Sequence, residues 1–151
     1  MMQKKVQIIS DGSLDLSQEL TKEKDIEVVP FYVSFDSETY QKEMVEVGVR
    51  EFYQEMVDHP TVFPKTSMPS VHDYYEVFEK YAKEQLPVIC ICITKKFSGS
   101  LQSATTAKDM ILEEYPDAQI TVIDSTVNTV LQGLYVLEAC RLRDMGLEYQ
   151  Q

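Results

Sequence analysis

The sequence predicts an α/β fold three layers deep, α/β/α, with a mostly parallel sheet and a small hairpin excursion. Three observations predict it. Short β-branched runs alternate with stretches of helical periodicity. One run, residues 88–93, is apolar at every position, as a strand covered on both faces requires. The composition, 44% hydrophobic and 26% charged over 151 residues, is that of one globular domain long enough to bury a core.

Residues 6–9 form the first strand, and Ser10-Asp11-Gly12-Ser13 turns the chain out of it. Asp15 with Gln18 reads as the cap of a helix carrying Leu16 and Leu20. Residues 26–29 are a second strand. After Pro30, residues 31–35 are extended again, and Asp36-Ser37-Glu38 supplies the turn for a hairpin returning through Thr39 and Tyr40. Val49, Phe52, Tyr53 and Met56 recur at helical spacing, with Pro60 and Pro64 bracketing the following loop. Ser70 and Asp73 make a capping box, behind which Val71, Tyr75, Phe78 and Ala82 share a face. Pro87 precedes the apolar strand. Ser98-Gly99-Ser100 opens a helix carrying Leu101, Ala104, Thr105, Ile111 and Leu112, and Tyr115-Pro116-Asp117 stops it. Residues 120–123 are the last strand. Asp124-Ser125 leads into a long helix whose apolar face is expected along Val127, Val130, Leu131, Leu134 and Leu137, with Gly146 at its end.

Acidic residues number 25 against 14 basic ones, a formal net charge of −11. That field repels phosphate backbones and anionic lipid, and no basic stripe opposes it in the sequence. Nucleic-acid binding and peripheral membrane docking are therefore not expected. No apolar run is long enough to cross a bilayer, and residues 1–9 lack the apolar stretch of a signal peptide. The three cysteines, Cys90, Cys92 and Cys140, suit a reducing cytoplasm. Cys90 and Cys92 share one face of a strand and read as small buried hydrophobes. Zinc would need more ligands, and His59 and His72 supply none at a recognisable spacing. No cofactor is expected.

Parallel α/β sheets gather ligands at the carboxyl ends of their strands. Three strands here run out into hydroxyl-rich or acidic turns: Ser10 to Ser13, Thr94 to Ser100, and Asp124-Ser125-Thr126. The loop from Lys65 to Ser70 adds a fourth cluster. At Ser98-Gly99-Ser100, a sharp turn, free helical N–H groups and two hydroxyls could hold a carboxylate or phosphate; equally, Ser98 could simply cap the helix. Thr66 and Ser67 carry the same two readings, ligand contact or turn residue. Asp11 and Asp124 could satisfy turn N–H groups, orient hydroxyls or, together with Ser13, bind a metal. The last option would make the chain a metal-dependent enzyme or metal-binding module. The patterns Gly-x-Ser-x-Gly, Gly-x-Gly-x-x-Gly, Asp-x-Asp and the P-loop are absent, so no hydrolase or nucleotide motif supports catalysis.

In this order the clusters resemble the DegV family. Ser10-Asp11-Gly12-Ser13-Leu14-Asp15-Leu16 resembles its opening T-D-S-S-A-D-L, and Val28-Val29-Pro30-Phe31-Tyr32-Val33 its second strand. Lys65-Thr66-Ser67-Met68-Pro69-Ser70 resembles its T-S-Q-P-S loop. Ser98-Gly99-Ser100-Leu101-Gln102-Ser103-Ala104 is similar to S-G-T-Y-Q-S-A, and Ile123-Asp124-Ser125 to its late strand and turn. The resemblance implies a non-catalytic carrier that binds one long-chain fatty acid and presents its carboxylate to a separate fatty-acid kinase. It implies that Thr66 and Ser98 hold the carboxylate, that Gly99 and Ser100 add backbone N–H groups, and that Ser67 and Ser13 belong to the same ligand set. Gly12, Met68 and Ser100 depart from the serine, glutamine and threonine of the pattern. The family has two domains, and residues 1–151 correspond to the N-terminal α/β one; on this resemblance the C-terminal domain, with its basic and histidine groups, is absent from the sequence.

Overall fold

Among residues 5–151, those the computed structural model describes, the predicted alternation resolves into seven strands and five helices. β1 (Gln7–Asp11), a 3-10 turn (Gly12–Leu14), α1 (Gln18–Glu23) and β2 (Ile26–Val29) come first. β3 (Tyr32–Ser34), β4 (Gln41–Lys42), α2 (Val49–Asp58) and β5 (Lys65–Ser67) form an outlying group. α3 (Val71–Lys83), β6 (Val88–Cys92), α4 (Ser100–Glu114), β7 (Ile120–Asp124) and α5 (Thr129–Asp144) complete the chain. The expectation about a signal segment in residues 1–9 falls partly outside the described residues.

β2, β1, β6 and β7 lie side by side in that order, every pair parallel. The all-apolar run predicted to be central is central, because only an inner strand has both faces covered. Alternation sends Cys90 and Cys92 to one side of β6 and Ile89 and Ile91 to the other. On the first side Tyr74 and Phe78 of α3 and Ala104, Ala107 and Ile111 of α4 close over Ile9, Cys90 and Cys92. On the second, Val136 and Cys140 of α5 pack with Ile8, Leu14, Ile26 and Ile91. Each large side chain fully buried this way contributes about 1.5–3 kcal/mol. The result is the predicted three-layer sandwich, with a small antiparallel sheet, β4-β3-β5, beside it.

The local chemistry explains most boundaries. Ser70 Oγ accepts from Asp73 N–H at 3.1 Å while Asp73 Oδ2 accepts from Ser70 N–H at 2.8 Å, the reciprocal box that starts α3. Gly146 adopts φ 88° just past α5, where a glycine costs least. Four expectations are corrected. Asp15 does not cap α1; it sits in the left-handed region at φ 54°, and Ser17 Oγ accepts Leu20 N–H instead. The Lys65–Ser70 stretch is not all loop, since β5 pairs with β3 through polar, exposed residues. On α3 the residues buried deepest are Tyr74, Phe78 and Tyr81, while Tyr75 is only partly covered. Most consequential, α5 turns its expected apolar face outward. Val130, Leu131 and Leu134 are 55%, 55% and 53% exposed, while Gln132, Gly133, Val136 and Cys140 face the sheet. Gly133 dictates this: a Cβ there would lie 2.3 Å from Leu14 O, so only glycine lets α5 sit on the 3-10 turn.

Candidate functional site

β1 and β6 are neighbours, yet their outgoing connections part company, to β2 on one side and β7 on the other. Such a switch point leaves a crevice at the carboxyl ends of the two strands. Asp11, the last residue of β1, is fully buried beneath it. Its Oδ1 accepts from Gln132 Nε2 at 2.9 Å and Ser13 N–H at 3.2 Å. Its Oδ2 accepts from Ile93 N–H at 2.9 Å and Ser100 Oγ–H at 2.8 Å. One carboxylate therefore ties together the 3-10 turn, the end of β6, the start of α4 and α5. Burial pushes its pKa up, and the four donors pull the other way.

Ser100 faces inward. With its own proton on Asp11, its oxygen accepts the Tyr74 hydroxyl at 2.6 Å, and burial pushes that phenol well above its ordinary pKa. Ser100 N–H is also taken, by Ser98 Oγ at 3.1 Å. Both the hydroxyl and the N–H of Ser100 thus serve the fold rather than the crevice. The N-cap position of α4 falls to Gly99, not Ser98, and among the described residues neither Ser98 O–H nor Gly99 N–H has an acceptor.

The other hydroxyls are likewise uncommitted. Ser13 contributes only its backbone N–H to Asp11, which holds its free Oγ near the α4 start through the shared carboxylate. The segment after β5 is brought to the same place by Met68, whose Sδ lies 2.6 Å from where a Gly99 Cβ would stand. Thr66 pairs with Val33 and Ser67 with Tyr32. Adjacent strand residues project to opposite faces, so Thr66 and Ser67 serve different sides of the small sheet. Ser67 shares its side with Tyr32, whose hydroxyl donates to Asp73 at 2.8 Å. Lys42 also reaches Asp73 at 2.9 Å. Burial alone would raise Asp73, but Ser70, Lys42 and Tyr32 outweigh it and hold its pKa at about 2.

Gly12, between Asp11 and Ser13, opens onto two adjoining clefts. One, of about 230 Å³, is lined by Leu14, Leu16, Ile26, Val28, Pro30 and Met44. The other, of about 680 Å³, runs between Leu16, Val33, Met44, Val47, Phe52 and Tyr53. Glu43 borders both; its Oε1 accepts Phe31 N–H at 3.0 Å in the space a side chain at residue 12 would fill. Burial raises the Glu43 pKa. A third hollow, of about 500 Å³ around Tyr81, Pro87, Tyr115 and Gln119, lies at the opposite edge of the sheet, remote from every free hydroxyl.

A metal finds no support here. Among the described residues no three His, Cys, Asp or Glu side chains come together. Asp11 is filled by its four donors. Asp124 accepts Thr126 N–H on β7, two strands away from β1, about 10 Å at the usual strand spacing. Sequence reasoning missed Gln132 and Tyr74, which orient the carboxylate and Ser100. A lone glutamine beside a glycine in the mostly apolar first half of α5 was the available signal for Gln132. Its Oε1 is buried without a partner among the described residues.

The fold and this donor arrangement define a three-layer α/β domain with its ligand edge at the β1–β6 switch point. The chain belongs to the DegV family: residues 5–151 match the family model described as "Uncharacterised protein, DegV family". A DegV domain-containing protein of Clostridium acetobutylicum is 35% identical over 147 residues, 97% of this chain and 50% of the relative. The structure of a stearic acid-binding protein from Eubacterium ventriosum aligns with TM-score 0.93 and 47% identity over 97% of this chain and 50% of that one. A fatty-acid-binding DegV family protein from Thermus thermophilus aligns at 0.79 and 30%, with the same coverage. The chain spans about half the length of the curated relatives it matches.

Proposed function

We propose that this chain binds a long-chain fatty acid, with its carboxylate over the start of α4 and its alkyl chain leading toward the clefts beside Gly12. The observation that carries this reading is the set of uncommitted donors, Ser98 O–H and Gly99 N–H, at the switch point of a domain 47% identical to a stearic acid-binding protein. A buried carboxylate needs several such donors and an apolar path for its tail, and both adjoin here. Thr66 and Ser13 complete the anchor, with Ser67 placed to serve the opposite face of the small sheet. The chain acts as a carrier, not an enzyme, and offers that head group to a fatty-acid kinase that performs the phosphoryl transfer. It works in the cytoplasm, in keeping with three free cysteines, two of them with sulfurs 3.7 Å apart in hydrogen-bond contact and not joined as a disulfide.

Organic extraction of natively purified protein followed by mass spectrometry tests the reading, with an equimolar long-chain fatty acid expected. Ser98→Ala and Thr66→Ala each remove one charge-assisted bond and should weaken fatty-acid affinity by about 1–3 kcal/mol, or roughly 5- to 150-fold. Unchanged affinity in both variants, measured by calorimetry, would contradict the assignment.

A further inference from the structure

We propose that Glu43 is a polar subsite beside the carboxylate anchor that takes a hydroxyl on the carboxyl-proximal part of the acyl chain, which makes hydroxylated long-chain fatty acids the favoured ligand class; the inference rests on the fatty-acid reading above. A half-used carboxylate at the junction of the two clefts carries it. Glu43 follows β4, and its backbone N–H donates to Phe31 O at 3.0 Å while its Oε1 accepts Phe31 N–H at 3.0 Å. That pair of bonds fixes the side chain. Its Oε2 has no hydrogen-bond or ion-pair partner among the described residues. Lys22 and Arg50 line the clefts, yet neither pairs with it.

Gly12 makes this placement possible. A Cβ at residue 12 would stand 1.8 Å from Glu43 Oε1, so any other residue there would push the carboxylate out of the junction. The same contact locates the subsite along the ligand. With about 1.5 Å for a Cα–Cβ bond and about 3.8 Å between consecutive Cα atoms, Oε1 lies within about 7 Å of Ser13 Cα. Ser13 belongs to the proposed anchor, so Glu43 meets the acyl chain close to its head and far from its methyl end.

Around Glu43 the walls are largely hydrocarbon. Leu14, Leu16, Val28, Pro30 and Met44 border the smaller cleft, on which Glu43 is the only carboxylate among the described residues. A saturated tail lying there would strip water from Oε2 and give nothing back, an unfavourable exchange for a charged group. Burial already raises the Glu43 pKa; the Phe31 N–H opposes it, and the Asp11 carboxylate adds to it. A hydroxyl on the chain donates the missing hydrogen bond, and a bond to a carboxylate is among the stronger ones. An ether oxygen at the same place would meet Oε2 lone pair to lone pair and bring no gain.

The test is calorimetric titration of the full chain with stearate, 3-hydroxystearate, 3-methoxystearate and 12-hydroxystearate. The expected result is 3-hydroxystearate binding on the order of tenfold more tightly than stearate. The methoxy compound, which cannot donate, and 12-hydroxystearate, whose hydroxyl lies beyond Glu43, should show no such gain. On variants the readout is the ratio of the 3-hydroxystearate and stearate affinities, which a general loosening of the fold would not move. Glu43→Leu should bring that ratio to about one, and Glu43→Gln, an acceptor without the charge, to an intermediate value. Gly12→Ala should lower it with Glu43 itself intact; if Glu43→Leu does not fold, Glu43→Gln and Gly12→Ala carry the test. No preference in the parent, an equal gain from the methoxy compound, or a ratio unchanged in the variants overturns the proposal. Stearate bound by the parent without preference leaves the fatty-acid reading standing and removes only the subsite. If the parent binds none of the four compounds, the fatty-acid reading falls and the subsite with it.

Discussion

α3 and α2 carry the same kind of apolar periodicity and end in opposite situations. α3 buries Tyr74, Phe78 and Tyr81 against the parallel sheet. α2 has no fully buried residue; Val49, Tyr53, Met56 and Val57 stay exposed, and its main purchase is Phe52 against the ring of Phe35 at 5.2 Å. The two faces of α5 repeat the lesson on one element: the inner face is fixed by Gln132 and Gly133, and the outer face displays Leu131 and Leu134. Periodicity reports that a helix has an apolar face. It does not report whether this chain covers that face. The half of the molecule built on the parallel sheet buries its own apolar faces, whereas α2 and the outside of α5 leave theirs exposed.

The contrast can be broken by substitution. The largest effect is expected at Phe78→Ala, about 3–5 kcal/mol of lost stability by urea denaturation, while Tyr53→Ala on α2 should stay within about 0.5 kcal/mol. Equal losses at both would abolish the distinction. On α5, Gly133→Ala forces a Cβ to within 2.3 Å of Leu14 O and should cost about 1–3 kcal/mol, against next to nothing for Leu134→Ser one residue away. Ser70→Ala removes the α3 cap for about 1 kcal/mol.

A pH titration sharpens the link between the two halves. The Asp73 pKa, about 2, lies below its ordinary value, so the link from Tyr32 and Lys42 to α3 stabilises fully above the usual carboxylate range. That stability should disappear as the pH falls toward 2, because the unfolded chain takes up its proton first. Asp73→Asn should flatten this part of the acid-unfolding profile; a profile identical to the parent would show that the link carries no stability.

How much the sequence disclosed follows the same division. The strands of the parallel sheet and the cap at Ser70 were legible because burial and local hydrogen bonding act within a few residues. β5 was not, since Lys65-Thr66-Ser67 has no apolar pattern and owes its extension to β3, some thirty residues earlier. Two caps compete near residue 16, and Asp15 with Gln18 reads as the better box until Asp15 proves to be left-handed. At the site, the glycine and hydroxyl cluster was visible, and so was its edge of the sheet. The inward turn of Ser100 was not, because its partners Asp11 and Tyr74 are distant in sequence and meet only in the fold.

The central claim is the position of the carboxylate, and amide chemical shifts read it most directly. Titrating isotopically labelled protein with stearate should move Gly99 N–H most, with Ser98, Ser13 and Thr66 following, and leave Gln119 and Tyr115 at the opposite edge unchanged. Saturable shifts confined to that opposite edge, or none at Gly99, would contradict the account.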